Sequence, residues 1–210
     1  MVLVCHKLFG RTGMVAWIVL ASVVANIEVQ AQISAFGLNQ TLGNILFAST
    51  FLATDILSEY HSKKDAELAV HVSIFACISF IAISQFWPWF TPGASDFALG
   101  HLRELGRNTP RIMLSGLMVF ALVEKLDIWL YHKIWQWKGS GTHRFLWLRN
   151  NAATIISQAL NSVLFNLLAF YGVFPTPMLW EIIATTFLIY TCTALADTPF
   201  IYLAKKQTDN

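Results

Sequence analysis

Apolar and polar positions divide the chain into six apolar stretches joined by short polar or basic connections. A membrane-crossing helix needs about 20 apolar residues to span the ~30 Å hydrocarbon core. Residues 14–36, 44–57, 69–86, 111–131, 150–172 and 178–203 are the predicted spans. The second is short, and the third is the most uniformly apolar, so it is expected to be the most exposed to lipid. Residues 38–43 and 174–177 read as turns, 61–67 as a solvated loop, and 132–149 as a basic, Trp-rich loop. In the longest connection, 87–110, Pro88, Pro92 and Gly93 prevent a continuous helix. Within it Ala98, Leu102 and Leu105 lie opposite Arg103, Glu104 and Arg107, the pattern of a short helix lying in the interface.

The stretch 148–170 departs from the apolar pattern. Asn151, Thr154, Gln158, Asn161 and Phe165 recur at three- and four-residue steps and share one helical face. Unpaired amides are costly in hydrocarbon, so this stripe must meet other helices or a wet cavity. Two readings stay open. The stripe is interhelical hydrogen bonding, worth under about 1–2 kcal/mol per contact, or it is one wall of a site for a flat, hydrogen-bonding molecule. Ser22, Asn26 and Gln30 share a face of the first span in the same way.

Composition sharpens the class. Hydrophobic residues make up 56% and charged residues 12% of the 210 residues, with a mean hydropathy of +0.55. Soluble domains carry about 25% charged residues. The expected fold is therefore all-α: one integral membrane domain over 1–210, built as a six-helix bundle. Lys7 and Arg11 before residues 14–25, with Val29-Gln30-Ala31 after them, resemble a signal peptide; the segment is read instead as the first span. Cys5, Cys77 and Cys192 are scattered, and the six His lack ligand spacing, so no disulfide framework and no metal site are expected. P-loop, GxSxG and HExxH motifs are absent, which argues against an ATP-hydrolysing subunit and a metalloprotease. No enzyme activity and no cofactor are expected.

The placement of charge says more than the net +2. Basic residues mark the cytoplasmic side of short loops. Lys7 and Arg11, Lys63 and Lys64, then Lys133, Lys138, Arg144 and Arg149, and finally Lys205 and Lys206 flank the spans so that both termini are cytoplasmic. The long loop with Arg103, Arg107 and Arg111 breaks the trend. Glu28, Asp55, Glu124, Asp127, Glu181 and Asp197 lie within or at the ends of spans, opposed there only by Lys125 and Arg111. A charge at mid-membrane costs at least about 2.5 kcal/mol, so most of these acids need partners, protons or water. A proton-coupled carrier, a ligand rich in N–H donors and an internal salt-bridge lattice all fit.

The segment Phe51-Leu52-Ala53-Thr54-Asp55-Ile56-Leu57-Ser58-Glu59-Tyr60 is one of four that carry a resemblance. The others are Asp127; Trp147-Leu148-Arg149-Asn150-Asn151 with Thr154, Ser157, Gln158 and Phe165; and Leu195-Ala196-Asp197-Thr198-Pro199-Phe200 with Tyr202. Together they resemble the queuosine precursor transporters, in the vitamin uptake transporter group of bacterial inner-membrane proteins. The resemblance implies uptake of 7-deazaguanine bases, such as 7-cyano-7-deazaguanine, 7-aminomethyl-7-deazaguanine or queuine, by a stand-alone secondary carrier. It implies a small purine-like substrate, surrounding lipid and no nucleic acid as partners, and leaves a homodimer open. Carried over are Asp55, Glu59, Arg111, Asp127, Arg149, Asn150 and Asp197 as gate or proton-coupling residues, with Asn151 and Gln158 toward the substrate. Three positions depart from the family's pattern: His61 in place of Gly, Asn161 in place of Asp, and no Lys near Ile189 and Tyr190.

A deazaguanine offers a planar face, N1–H and an exocyclic amine beside O6, which carboxylates and amides can match. Gln158, about 9 residues into its span, lies ~14 Å deep, and Asn26 falls at a similar depth. Carrier sites sit near that level. The expected substrate site is thus Asn26, Asn151, Gln158 and Asn161, with Phe165 beside the ring and Glu124 as an acceptor; Phe120 and Trp17 are further stacking candidates. One competing reading is the substrate-binding subunit of an energy-coupling-factor importer, with Ala21 and Ala25 docking an ATPase partner. Another is a membrane enzyme or scaffold that uses the acids catalytically.

Overall fold

A computed structural model describes residues 1–35, 37–107, 110–138 and 146–208. Among these, the elements in order are α1 (Val2–Glu28), a hairpin of β1 (Gln32–Ala35) and β2 (Leu38–Thr41), α2 (Asn44–Tyr60), α3 (Lys63–Ser84), α4 (Leu99–Arg107), α5 (Pro110–Lys138), α6 (Leu146–Phe170) and α7 (Thr176–Thr208). A single 3-10 turn, Trp87–Trp89, precedes α4. Six helices close a ring in which α5 packs on α6, α6 on α7, α7 on α2, α2 on α1, α1 on α3, and α3 on α5. The short helix expected in the 87–110 connection is α4.

Four helices (α1, α3, α6 and α7) are long and apolar enough to cross a membrane. This is an all-α membrane protein apart from the short hairpin. Helix α3 buries six of its 22 residues and α6 14 of its 25, as an oily α3 and an amide-striped α6 require. Helix α2 has 17 residues, about 25 Å at 1.5 Å each. Helix α5 interrupts its apolar run with Glu124, Lys125 and Asp127.

Helix α2 is the most enclosed element: every residue from Thr50 to Glu59 is buried. It carries no Lys or Arg, and its small Ala48, Ala53 and Ser58 let neighbours approach on all sides. Glycine makes one such approach. A Cβ on Gly43 would lie 2.6 Å from the Ala25 carbonyl oxygen, so α1 and α2 meet there backbone to backbone.

Several expected boundaries are corrected. The first span does not run to residue 36, because α1 ends at Glu28 and the polar Gln30 and Gln32 lead into the hairpin. Gln30 therefore does not continue the Ser22–Asn26 face, and Asn26 sits in the last turn of α1, not halfway along a span. The expected 38–43 turn contains strand β2, paired from Gln32↔Thr41 to Ala35↔Leu38. The 61–67 loop shrinks, because Ser62 caps α3 by accepting from the Asp65 backbone N–H at 3.1 Å. The basic 132–149 loop is largely helical: α5 continues to Lys138 and α6 begins at Leu146. Phe36 and Arg144 lie outside the described residues.

Helix α1 breaks at Gly10, whose φ of 53° and ψ of −135° suit glycine. The segment before it turns back, with Cys5 Sγ donating to the Gly13 carbonyl at 3.2 Å. His6 meets His61 edge to face at 5.8 Å, and Arg11 pairs with Asp65 at 2.9 Å. Burial and the neighbouring His6 push the His61 pKa below its ordinary value. At this departure from the family's pattern, the side chain is spent on fastening the N-terminal segment.

Candidate functional site

Polar side chains run down the inside of the ring from the hairpin end to the opposite end. At the hairpin end is a small, partly open cavity. Asn26 of α1, Asn161 and Phe165 of α6, and Gly116 of α5 line it. Asn44 and Phe47 at the start of α2, with Tyr190 of α7, also line it. These residues converge because α1 ends there, α2 begins there, and α6 and α7 run antiparallel past both.

Hydrogen bonds fix the amides. Asn26 Nδ2 donates to the Ser22 carbonyl at 2.8 Å and to Cys77 Sγ at 3.7 Å. A Cβ on Gly116 would lie 2.6 Å from Asn26 Oδ1, so only glycine leaves that oxygen room. Asn161 Nδ2 donates to Gln158 Oε1 at 3.3 Å. Gln158 thus stands one layer behind the lining and orients Asn161.

Below the cavity, Glu124 accepts from the Thr50 hydroxyl and from Thr54 at 3.2 Å. It is held by α2 and does not line the cavity. Next come Asp55 and Asp127. Thr154 donates to Asp55 Oδ2 at 3.3 Å, and Asp55 lies in the fields of Asp127, Glu124 and Asp197. Asp127 is fully buried, and neither of its oxygens makes a hydrogen bond. The Ser157 and Thr154 hydroxyls of α6 lie near it.

The column ends in an ion pair. Arg149 Nη2 donates to Glu59 Oε1 at 2.8 Å and Oε2 at 2.7 Å, with side chains 2% and 0% exposed. The Tyr131 hydroxyl donates to Glu59 Oε2 at 2.6 Å, and the guanidinium lies 4.3 Å from the Trp135 ring centroid. Beside it, Asn151 Nδ2 donates to Thr198 Oγ1 at 2.7 Å and to the Trp147 carbonyl at 2.8 Å. Asn150 Nδ2 reaches the same Thr198 hydroxyl at 3.5 Å. The Arg-Asn-Asn and Asp-Thr-Pro elements therefore meet directly across α6 and α7.

The expected residues thus separate into two levels. Asn26, Asn161 and Phe165 share the cavity, with Gln158 behind them. Asn151 lies at the far end with Asn150, since α6 places it seven residues and about two turns before Gln158. Asp55, Glu59, Asp127 and Arg149 gather below, with half-buried Asp197 nearby. Arg111 does not join them: its Nε and Nη2 donate to the Leu168 and Tyr171 carbonyls at 2.8 Å each. It lies at the start of α5, beside the end of α6, and satisfies carbonyls left open there. Phe120 packs edge to face on Phe47 at 5.9 Å, and Trp17 donates to Ser49 Oγ at 3.0 Å; neither lines the cavity.

Sequence reasoning missed Asn44, Phe47, Gly116 and Tyr190. Asn44 only opens the second apolar stretch and Gly116 follows Ser115 in the fourth; neither belongs to a polar stripe. Tyr190 stands where the resemblance leads one to expect a Lys. Among the described residues no group of three His, Cys, Asp or Glu is placed to hold a metal.

The family described as "Putative vitamin uptake transporter" matches residues 41–204. A Bacillus subtilis (strain 168) protein named "Probable queuosine precursor transporter" is 34% identical over 209 residues, spanning 100% of this chain and 90% of that protein. No solved structure matches.

Proposed function

This chain belongs to the vitamin uptake transporter family, and on that premise we propose that it imports 7-deazaguanine bases across the bacterial inner membrane as a stand-alone carrier. The observation that carries the reading is the cavity, where amides and aromatic rings converge at the end of a column of buried acids. A planar base with hydrogen-bonding edges suits the first, and a proton path suits the second. The relative's name supports the substrate class. Burial of Ala21 and Ala25 inside the chain supports the stand-alone reading, since those small residues pack within the bundle. The test is uptake of labelled 7-cyano-7-deazaguanine into cells lacking deazaguanine synthesis, with and without this protein. Equal uptake in both ends the proposal.

Gly116→Ala probes the cavity. The new Cβ would sit 2.6 Å from Asn26 Oδ1, and Asn26 cannot swing away without releasing the Ser22 carbonyl. Overpacking of this kind costs about 1–3 kcal/mol, so uptake should fall roughly tenfold at equal membrane abundance. Parent-like uptake by this variant would move the site elsewhere.

Six crossings with both termini cytoplasmic complete the proposal; loop charge supports it. Reporter fusions after Gln40 and Pro175 should read outside, and those after Lys64, Gly139 and Asn210 inside. An outside signal at residue 210 would sink this topology.

A further inference from the structure

Asn44 is 2% exposed and lines the cavity. Its Oδ1 accepts from the Thr41 hydroxyl at 2.7 Å and from the Tyr190 hydroxyl at 3.2 Å. The amide oxygen thus takes two hydroxyl donors. With its oxygen held by two hydroxyls, the amide must turn its nitrogen the other way. Asn44 Nδ2 is buried and has no partner. A buried amide donor without an acceptor is costly and rare in native proteins, and Asn44 is one of the residues that line the cavity. Across from it, Asn26 has committed its own nitrogen to Ser22 and Cys77 and keeps its oxygen beside Gly116.

We propose that Asn44, clamped by Thr41 and Tyr190, is the donor that reads a ring oxo group of the transported base. The assignment rests on the base-import reading above and adds its selectivity. An oxo oxygen accepts from Nδ2 along a lone pair, whereas an exocyclic amine in that place would set donor against donor. The clamp matters because a free amide could flip and offer either end.

The test is equilibrium binding of two probes, 7-cyano-7-deazaguanine and its 6-amino counterpart 2,6-diamino-7-cyano-7-deazapurine, to the purified full-length protein. The parent should prefer the oxo base by about tenfold or more, the usual consequence of leaving one buried donor unpaired. Asn44→Asp keeps the oxygen that Thr41 and Tyr190 need and puts an acceptor where the donor was; the preference should be lost or reversed in favour of the amino base. Tyr190→Phe should reduce it by releasing one side of the clamp. The affinity ratio reports recognition, because loss of folded protein lowers the number of sites without altering the ratio. An unchanged ratio in Asn44→Asp, or a parent ratio near unity, overturns the assignment while import stands. A parent that binds neither base overturns both.

Discussion

Arg149→Ala is expected to cost about 3–5 kcal/mol of stability, the usual loss when one partner of a buried ion pair is removed. The size follows from what remains. Glu59 would keep its charge in a site where its side chain is 0% exposed, with the Tyr131 hydroxyl still donating to it. Loss of the guanidinium also empties the face of Trp135. Against a typical stability of roughly 5–15 kcal/mol, such a change removes a large part of the total. Thermal unfolding of the purified variant checks this. Glu59→Gln combined with Arg149→Met should recover most of the loss, because a neutral pair no longer leaves a stranded charge. A single Arg149→Ala variant as stable as the parent would mean that the pair is not a fastening between α2 and α6.

Asp127→Asn is expected to do the reverse: leave the fold intact and lower uptake by roughly tenfold or more. Asp127 is buried with both oxygens unbonded, so the carboxylate is a burden on the fold, and an isosteric amide removes the charge without opening a cavity. A costly buried acid inside a membrane bundle is the signature of a group kept for function. The amide cannot accept and release a proton, so a gate or relay through this position would stall. The measurement is uptake of labelled 7-cyano-7-deazaguanine at matched membrane abundance, alongside unfolding temperature. Undiminished uptake would remove Asp127 from the transport mechanism; a collapse in stability would make it a structural residue. Arg149 and Asp127 thus lie on the same column but are expected to fail in opposite ways, one through the fold and one through transport.

Much of this was legible along the chain. The amide stripe on α6 could be read because its three- and four-residue steps place every member on one face, and that face is buried. The oily α3 and the short helix in the 87–110 connection followed from composition and periodicity. The resemblance singled out Arg149, Glu59 and the Asp-Thr-Pro element, which prove to be neighbours. Other features depended on where helices stop and cross. The end of α1 at Glu28 gave no strong signal, because Ala31, Ile33 and Ala35 continue an apolar tone through a hairpin. That one boundary moved Asn26 from mid-span to the mouth of the cavity. Arg111 and Arg149 both begin helices rich in apolar residues, yet Arg111 meets backbone carbonyls and Arg149 meets Glu59. Their partners belong to other elements, and sequence spacing carries no information about them.

The sequence by itself determined the class and the family: a helical membrane protein with buried acids, since hydropathy and helical period are local properties that each segment carries alone. Only the tertiary structure decided which polar groups meet. Asn44 and Tyr190 stand 146 residues apart and become one wall because α2 and α7 pack side by side, and the acids form a column because α2 is buried on every side. Long-range partners follow from the crossing and length of whole helices, quantities that the packing of the bundle sets.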